Sequence, residues 1–186
     1  VVVEEYEEHS IPKYDDGGSE AAILSEAPPF PVSDTFNLSS LPGSNFTIYL
    51  DFNGHTTTGT QWNTAFGTIV TPAYDTDGNV GSFSLAEIEV IQRTWLRVAE
   101  DFAPFNVNVT TAEPPVSDLI RSDASDTRWG VRVVIGENTW YSPAGGVAYV
   151  GSFNDNVDTP TYVFNTSLIG VSEAVSHKVG HTMGLV

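Results

Sequence analysis

Two histidines four residues apart, His177 and His181, set the strongest limit on this chain. Positions i and i+4 of a helix lie one turn apart on the same face, so both imidazoles can reach one metal ion. Zinc takes histidine nitrogen at ~2.0–2.1 Å, which such a pair supplies without bending the helix. The run Ser172–Val186 is therefore read as a helix carrying a metal-ligand pair. The plainer alternative is two helical histidines with ordinary hydrogen bonds and no metal.

A helix of this kind needs a sheet or a second helix to bury its other face, and the chain offers both. Ser84-Leu85-Ala86-Glu87 is a capping box. Behind it Leu85, Ile88, Ile91, Trp95, Val98, Ala99 and Phe102 recur at helical spacing until Pro104 stops the run. Phe46–Phe52 is a β-branched and aromatic strand closed by Asn53-Gly54. Further strands are expected over Asn106–Thr110, Val131–Gly136, Val147–Phe153 and Thr161–Asn165, with a long loop from Thr56 to Phe83. The order is strand, helix, four strands, helix: an α+β chain with one mixed sheet.

Composition bounds the partners. Hydrophobic content of 40% and aromatic content of 11% describe a globular chain of 186 residues, long enough for one domain and a tail. Seven basic against 24 acidic residues give a charge of −17, which argues against nucleic acid and anionic membrane as partners. The acidic excess serves solubility or calcium affinity. There is no cysteine, so neither a disulfide nor a cysteine switch on a metal is available. No stretch has the length of a membrane span, and Val1-Val2-Val3-Glu4-Glu5 does not read as a signal peptide. Asn37, Asn45, Asn108 and Asn165 sit in N-x-Ser/Thr sequons, which carry meaning only in a glycosylating host.

Residues 1–44 read as an irregular acidic arm or propeptide-like segment, with Glu4, Glu5, Glu7 and Glu8 in one run and an extended Pro28-Pro29-Phe30-Pro31. One reading makes it a latency segment that places Asp15, Asp16 or Asp34 on the metal; the other makes it a linker. Asp75-Thr76-Asp77-Gly78-Asn79 resembles the first half of an EF-hand loop, so Asp75 and Asp77 are calcium candidates. The glutamate that would complete such a loop is one position off, at Glu87, so a simple turn fits as well. His55, in a turn after the first strand, is expected at the surface.

Gly184 follows His181 by three, as in the zinc-peptidase pattern H-E-x-x-H-x-x-G-x-x-H. On these residues, and on Tyr49-Leu50-Asp51-Phe52-Asn53-Gly54-His55 as an opening strand, residues 45–186 resemble the N-terminal subdomain of metzincin zinc peptidases. The likeness is to secreted bacterial relatives of the matrixin and reprolysin groups. It implies a zincin-like fold: a twisted five-stranded mixed sheet with two main helices, its C-terminal subdomain lying outside this sequence. It implies His177 and His181 as zinc ligands and a third ligand at position 187. It also implies that the edge strand around Gly146, Val147, Ala148 and Tyr149 pairs with an extended peptide substrate. An exposed edge offers unpaired N–H and C=O groups to a peptide or to another copy of the chain.

One residue departs from the pattern in a way chemistry can evaluate. Where the family has its general-base glutamate, this chain has Lys178. An ammonium cannot accept a proton and is repelled by a nearby divalent cation. Loss of a general base typically costs ~10²–10⁴ in rate. The expectation is a secreted zinc endopeptidase by ancestry, hydrolytically inactive as written, with zinc weak or absent. The alternative is a pseudopeptidase that binds or self-assembles through its open sheet edge and its N-terminal arm.

Overall fold

The computed structural model describes residues 27–185. In chain order its elements are β1 (Phe46–Asp51), β2 (His55–Thr57), α1 (Gln61–Phe66), β3 (Ile69–Thr71) and α2 (Leu85–Asp101). They continue with β4 (Asn108–Thr110), β5 (Trp129–Ile135), β6 (Gly146–Val147), β7 (Thr161–Val163) and α3 (Leu168–Thr182). Short 3-10 turns lie at Val32–Asn37, Val116–Asp118 and Ser152–Asn154.

Five strands form one sheet in the order β4-β1-β5-β7-β6. The first four run parallel, and β6 joins the edge antiparallel, with Gly146 opposite Val163 and Val147 opposite Tyr162. The expected mixed five-stranded α+β arrangement with two main helices is therefore present. The period of two sorts the central strands cleanly. Ile48, Leu50, Val131, Val133, Ile135 and Val163 face the helices and share one core with Ile91, Val98, Val171, Val175 and Val179.

The helices are built as their sequences require. Ser84 Oγ accepts from the Glu87 amide, and Glu87 Oε2 accepts from the Ser84 amide at 2.8 Å, closing the capping box of α2. Leu85, expected on the apolar face, is instead 67% exposed at the first turn, where the helix has not yet reached the sheet. Ser167 Oγ caps α3 by accepting from the Gly170 amide. Ser176 Oγ donates to Asp101 Oδ2 and links the two helices.

The opposite face of the sheet carries what the sequence suggested was loop. β2 and β3 form a two-stranded antiparallel sheet, and α1 lies between them in sequence. Trp62 of α1 packs with Ile69, Val134, Val147 and Tyr162 in a second core, and its Nε1 donates to the Pro160 carbonyl at 2.8 Å. Strands of three residues and a helix of six are too short to display a period, so punctuation dominates the sequence there. The strand expected over Val147–Phe153 is only the two residues Gly146–Val147. Gly151, at φ 79°, turns the chain into the left-handed region and a 3-10 turn follows.

Packing begins before residue 45. Phe30 meets Trp95 edge-on at 5.6 Å, and Phe36 meets Phe83 at 5.1 Å. Gln92, fully buried on α2, accepts from the Phe30 amide and donates to Thr35 Oγ1, each at 2.8 Å. The Ser40 amide donates to the Val109 carbonyl and the Thr111 amide to the Leu38 carbonyl, both at 3.0 Å, so this segment covers the outer edge of β4. Asp34 lies exposed in the first 3-10 turn, accepting from Ser33 Oγ. The acidic run and Asp15 and Asp16 fall outside the described residues.

Gln92→Ala removes both partners and leaves a void. It is expected to cost about 3 kcal/mol in urea denaturation, the sum of a buried unmet polar group and a small cavity.

Candidate metal centre

The apolar stripe of α3 decides where its polar side chains go. Leu168, Val171, Val175 and Val179 are fully buried, and at 100° per residue this turns His177 out to solvent. His181, one turn on, is 7% exposed. The two Nε2 atoms lie 2.9 Å apart, with the rings edge-on at 86°. His181 Nδ1 lies 2.8 Å from the Leu185 carbonyl. A carbonyl only accepts, so Nδ1 carries a proton, and Nε2, the nitrogen facing His177, is the one left to bind a metal. An imidazole whose second nitrogen donates to a backbone carbonyl is the arrangement metal-bound histidines adopt.

The donors fit zinc. Two nitrogens of one tetrahedral zinc stand roughly 3.3 Å apart at the usual bond lengths. A small rotation of the exposed His177 ring opens 2.9 Å to that value. The sequence spacing alone places these two imidazoles together; the carbonyl that orients His181 lies beyond the helix end and had no sequence signal.

Lys178 is 2% exposed, one of the bulkiest fully buried side chains. Its stem runs beneath the edge strand: a Cβ added to Gly146 would stand 3.4 Å from Lys178 Cγ and only 2.7 Å from the Tyr162 carbonyl oxygen. Glycine is therefore required at 146. The Phe164 amide donates to the Gly145 carbonyl, while the Val163 carbonyl accepts from Gly136 on the β5 side. Gly146 and Val163 thus form a non-hydrogen-bonded pair, and the Gly146 N–H and C=O face away from β7. Ala148 and Tyr149, expected in the same strand, lie past its end, with Tyr149 against Trp62 at 4.1 Å.

Asp75 and Asp77 come together with Glu87, their carboxylate oxygens all within 4.8 Å of one another. Glu87, one position off in sequence, arrives because it sits in the first turn of α2. Hydrogen bonds already occupy the cluster. Asp75 Oδ1 accepts from the amides of Asp77, Gly78 and Asn79. Glu87 Oε1 accepts from the Thr76 amide and Oε2 from Ser84. These bonds fold the loop, and a calcium ion would have to share their oxygens. Loss of water pushes the Glu87 carboxyl up, but the hydrogen bonds from Ser84 and Thr76 outweigh this and hold it below its ordinary value.

A second polar cluster was not foreseen. Arg132, 3% exposed in the middle of β5, donates to Asp51 Oδ2 at 2.7 Å and to Asp158 Oδ2 at 2.9 Å. Its guanidinium lies over the Tyr49 ring at 5.1 Å. His55, half-buried at the start of β2 rather than in an open turn, lies 3.8 Å from Asp51. Burial, and then Arg132, push its imidazole below the ordinary value, so it is neutral at pH 7. The alternation Val131-Arg132-Val133 held the signal, because a cation inside a strand covered on both faces must be paired.

No protein-family model, curated protein or solved structure matches the chain. Among the described residues no helix is long and apolar enough to cross a membrane.

Two substitutions test these assignments. Arg132→Met strands the buried carboxylate of Asp51 and the partly exposed one of Asp158, and is expected to cost about 3–5 kcal/mol in chemical denaturation. Glu87→Ala is expected to cost about 1–2 kcal/mol at neutral pH. Because the Glu87 carboxyl is held low in the folded state, its stabilisation is full above the ordinary glutamate range and lost as pH falls through the folded value. The gap between wild type and Glu87→Ala should therefore close in acid, read from thermal melts across pH.

Proposed function

We propose that this chain carries the zinc-binding helix and sheet of a metzincin-type endopeptidase, with hydrolysis disabled by Lys178. The observation that supports this best is the convergence of His177 Nε2 and His181 Nε2, with the other nitrogen of His181 tied to the Leu185 carbonyl. The sheet agrees with it, four parallel strands ending in an antiparallel edge strand beside the same helix. Zinc held there supplies Lewis-acid activation of a water. The Leu185 carbonyl fixes the tautomer of His181, and the backbone N–H and C=O of Gly146, itself buried, point to the side of β6 away from β7. Lys178 supplies no carboxylate at the base position. The two imidazoles would fill two of the three or four protein positions that zinc sites normally have. The secreted, bacterial setting that the resemblance implies belongs to the same proposal.

A second reading, a pseudopeptidase that binds a partner strand, is favoured by the position of β6 at the sheet edge, paired on its β7 side, together with Lys178. Both readings expect no hydrolysis by the chain as it stands, and casein cleavage by it would overturn them. They differ at the helix: zinc titration against a chromogenic chelator should show binding that His177→Ala abolishes, and no binding would leave only the second reading. Lys178→Glu alone is expected to leave caseinolysis at background; clear cleavage would show that two imidazoles and a carboxylate suffice.

A further inference from the structure

We propose that the cleft at the carboxyl ends of β5 and β7 binds a small organic cation, an amine carried on an apolar body. The site is separate from the imidazole pair: the cleft lies at the N-terminal end of α3 and His181 near the other end, roughly 20 Å along the helix. In open sheets of parallel strands, ligands bind in the crevice outside the carboxyl ends of the strands, where the connections that follow diverge. Here β5 and β7 are parallel neighbours. The chain after β5 passes to the Trp62 side of the sheet through Trp140 and Tyr141, whereas the chain after β7 enters α3 on the opposite side.

The walls of this crevice are tied in place. The segment after β3 crosses the end of β5 so closely that a Cβ added to Gly136 would stand 2.7 Å from the Pro72 carbonyl oxygen. Further along, the Tyr74 amide donates to the Phe52 carbonyl at 2.9 Å, and the Tyr74 hydroxyl donates to the Thr166 carbonyl in the turn before α3. Asn165 Nδ2 donates to the Gly170 carbonyl at 2.8 Å and holds that turn against the helix. The space between is a cleft of about 460 Å³, within the size range of small-ligand sites. Its lining sets the chemistry of the ligand. Pro72, Tyr74 and Phe164 contribute apolar surface, and the charged residues that line it are Asp75 and Glu137, both carboxylates. Loss of water pushes the Asp75 carboxyl up, but the amides of Gly78, Asp77 and Asn79 outweigh this and hold it below its ordinary value, so it is ionised at pH 7. A cleft lined by one sign of charge concentrates the opposite sign, and the chain's charge of −17 adds to that field. An ammonium group answers the carboxylates, and the carbon body behind it covers the apolar wall.

The test is a titration of the isotope-labelled 186-residue chain with phenethylamine, read from amide chemical shifts, beside phenethyl alcohol as its neutral counterpart. The expected result is a set of saturable shifts around Asp75, Glu137 and Asn165 with the amine and none with the alcohol. Glu137→Gln, at an exposed position, should keep the spectrum of the folded chain and weaken binding about fivefold, the worth of one unit-charge pair at a solvated site. Equal binding of the alcohol would overturn the cation and leave an apolar cleft. Shifts centred on other acidic residues, or binding that Glu137→Gln leaves unaltered, would overturn the site. No saturable shift with the amine would overturn both.

Discussion

Burial of one stripe of α3 against the sheet governs the rest of the site. Leu168, Val171, Val175 and Val179 together contribute roughly 6–12 kcal/mol, at about 1.5–3 kcal/mol for each fully buried side chain. Burying the polar end of Lys178 carries a cost before its partners are counted. The apolar stripe outweighs that cost, so it sets the helix rotation and Lys178 follows it inward. The same rotation puts His177 in solvent and His181 at the rim.

The back of the sheet supplies the complementary constraint. Val134 and Tyr162 point away from the helices into the core around Trp62, and Val147 of the edge strand is part of that core. The edge strand is thus held from below by Trp62 and from the side by β7, while Lys178 fills the space under Gly146. Beside it, Arg132 ties β1 and β5 to the segment before β7 through Asp51 and Asp158. A two-residue edge strand would be weak alone. Here it is fixed by β7 at its side, Trp62 on one face and Lys178 on the other, and both of its residues are buried.

Elements with enough length to carry a signal were legible in the sequence: α2 from its capping box and apolar repeat, β1 and β5 from their β-branched and aromatic runs. The hairpin of β2 and β3 with α1 was hidden because each is six residues or fewer and its order comes from tertiary packing of Trp62 and Ile69. At the site, the spacing of His177 and His181 was informative because helix geometry maps it directly into space. Glu87 was misjudged because loop spacing was counted along the chain. A helix N-terminus folded back over Thr76 brings it to Asp75 regardless of register. Lys178 lies three after Val175 and seven after Val171, a buried-face position that the stripe itself announces.

The imidazole pair and Lys178 lie on different sides of α3, so the geometry of the pair does not depend on the residue at 178. Lys178 is separated from His177 by about 100° around the helix axis and reaches under β6, whereas the imidazoles meet at the outer rim. A change at 178 therefore alters what lies beneath the edge strand and leaves the imidazole geometry to the Leu185 carbonyl. The lysine stem packs there as an apolar chain would, so a lysine at this position offers no proton acceptor yet preserves the support of Gly146.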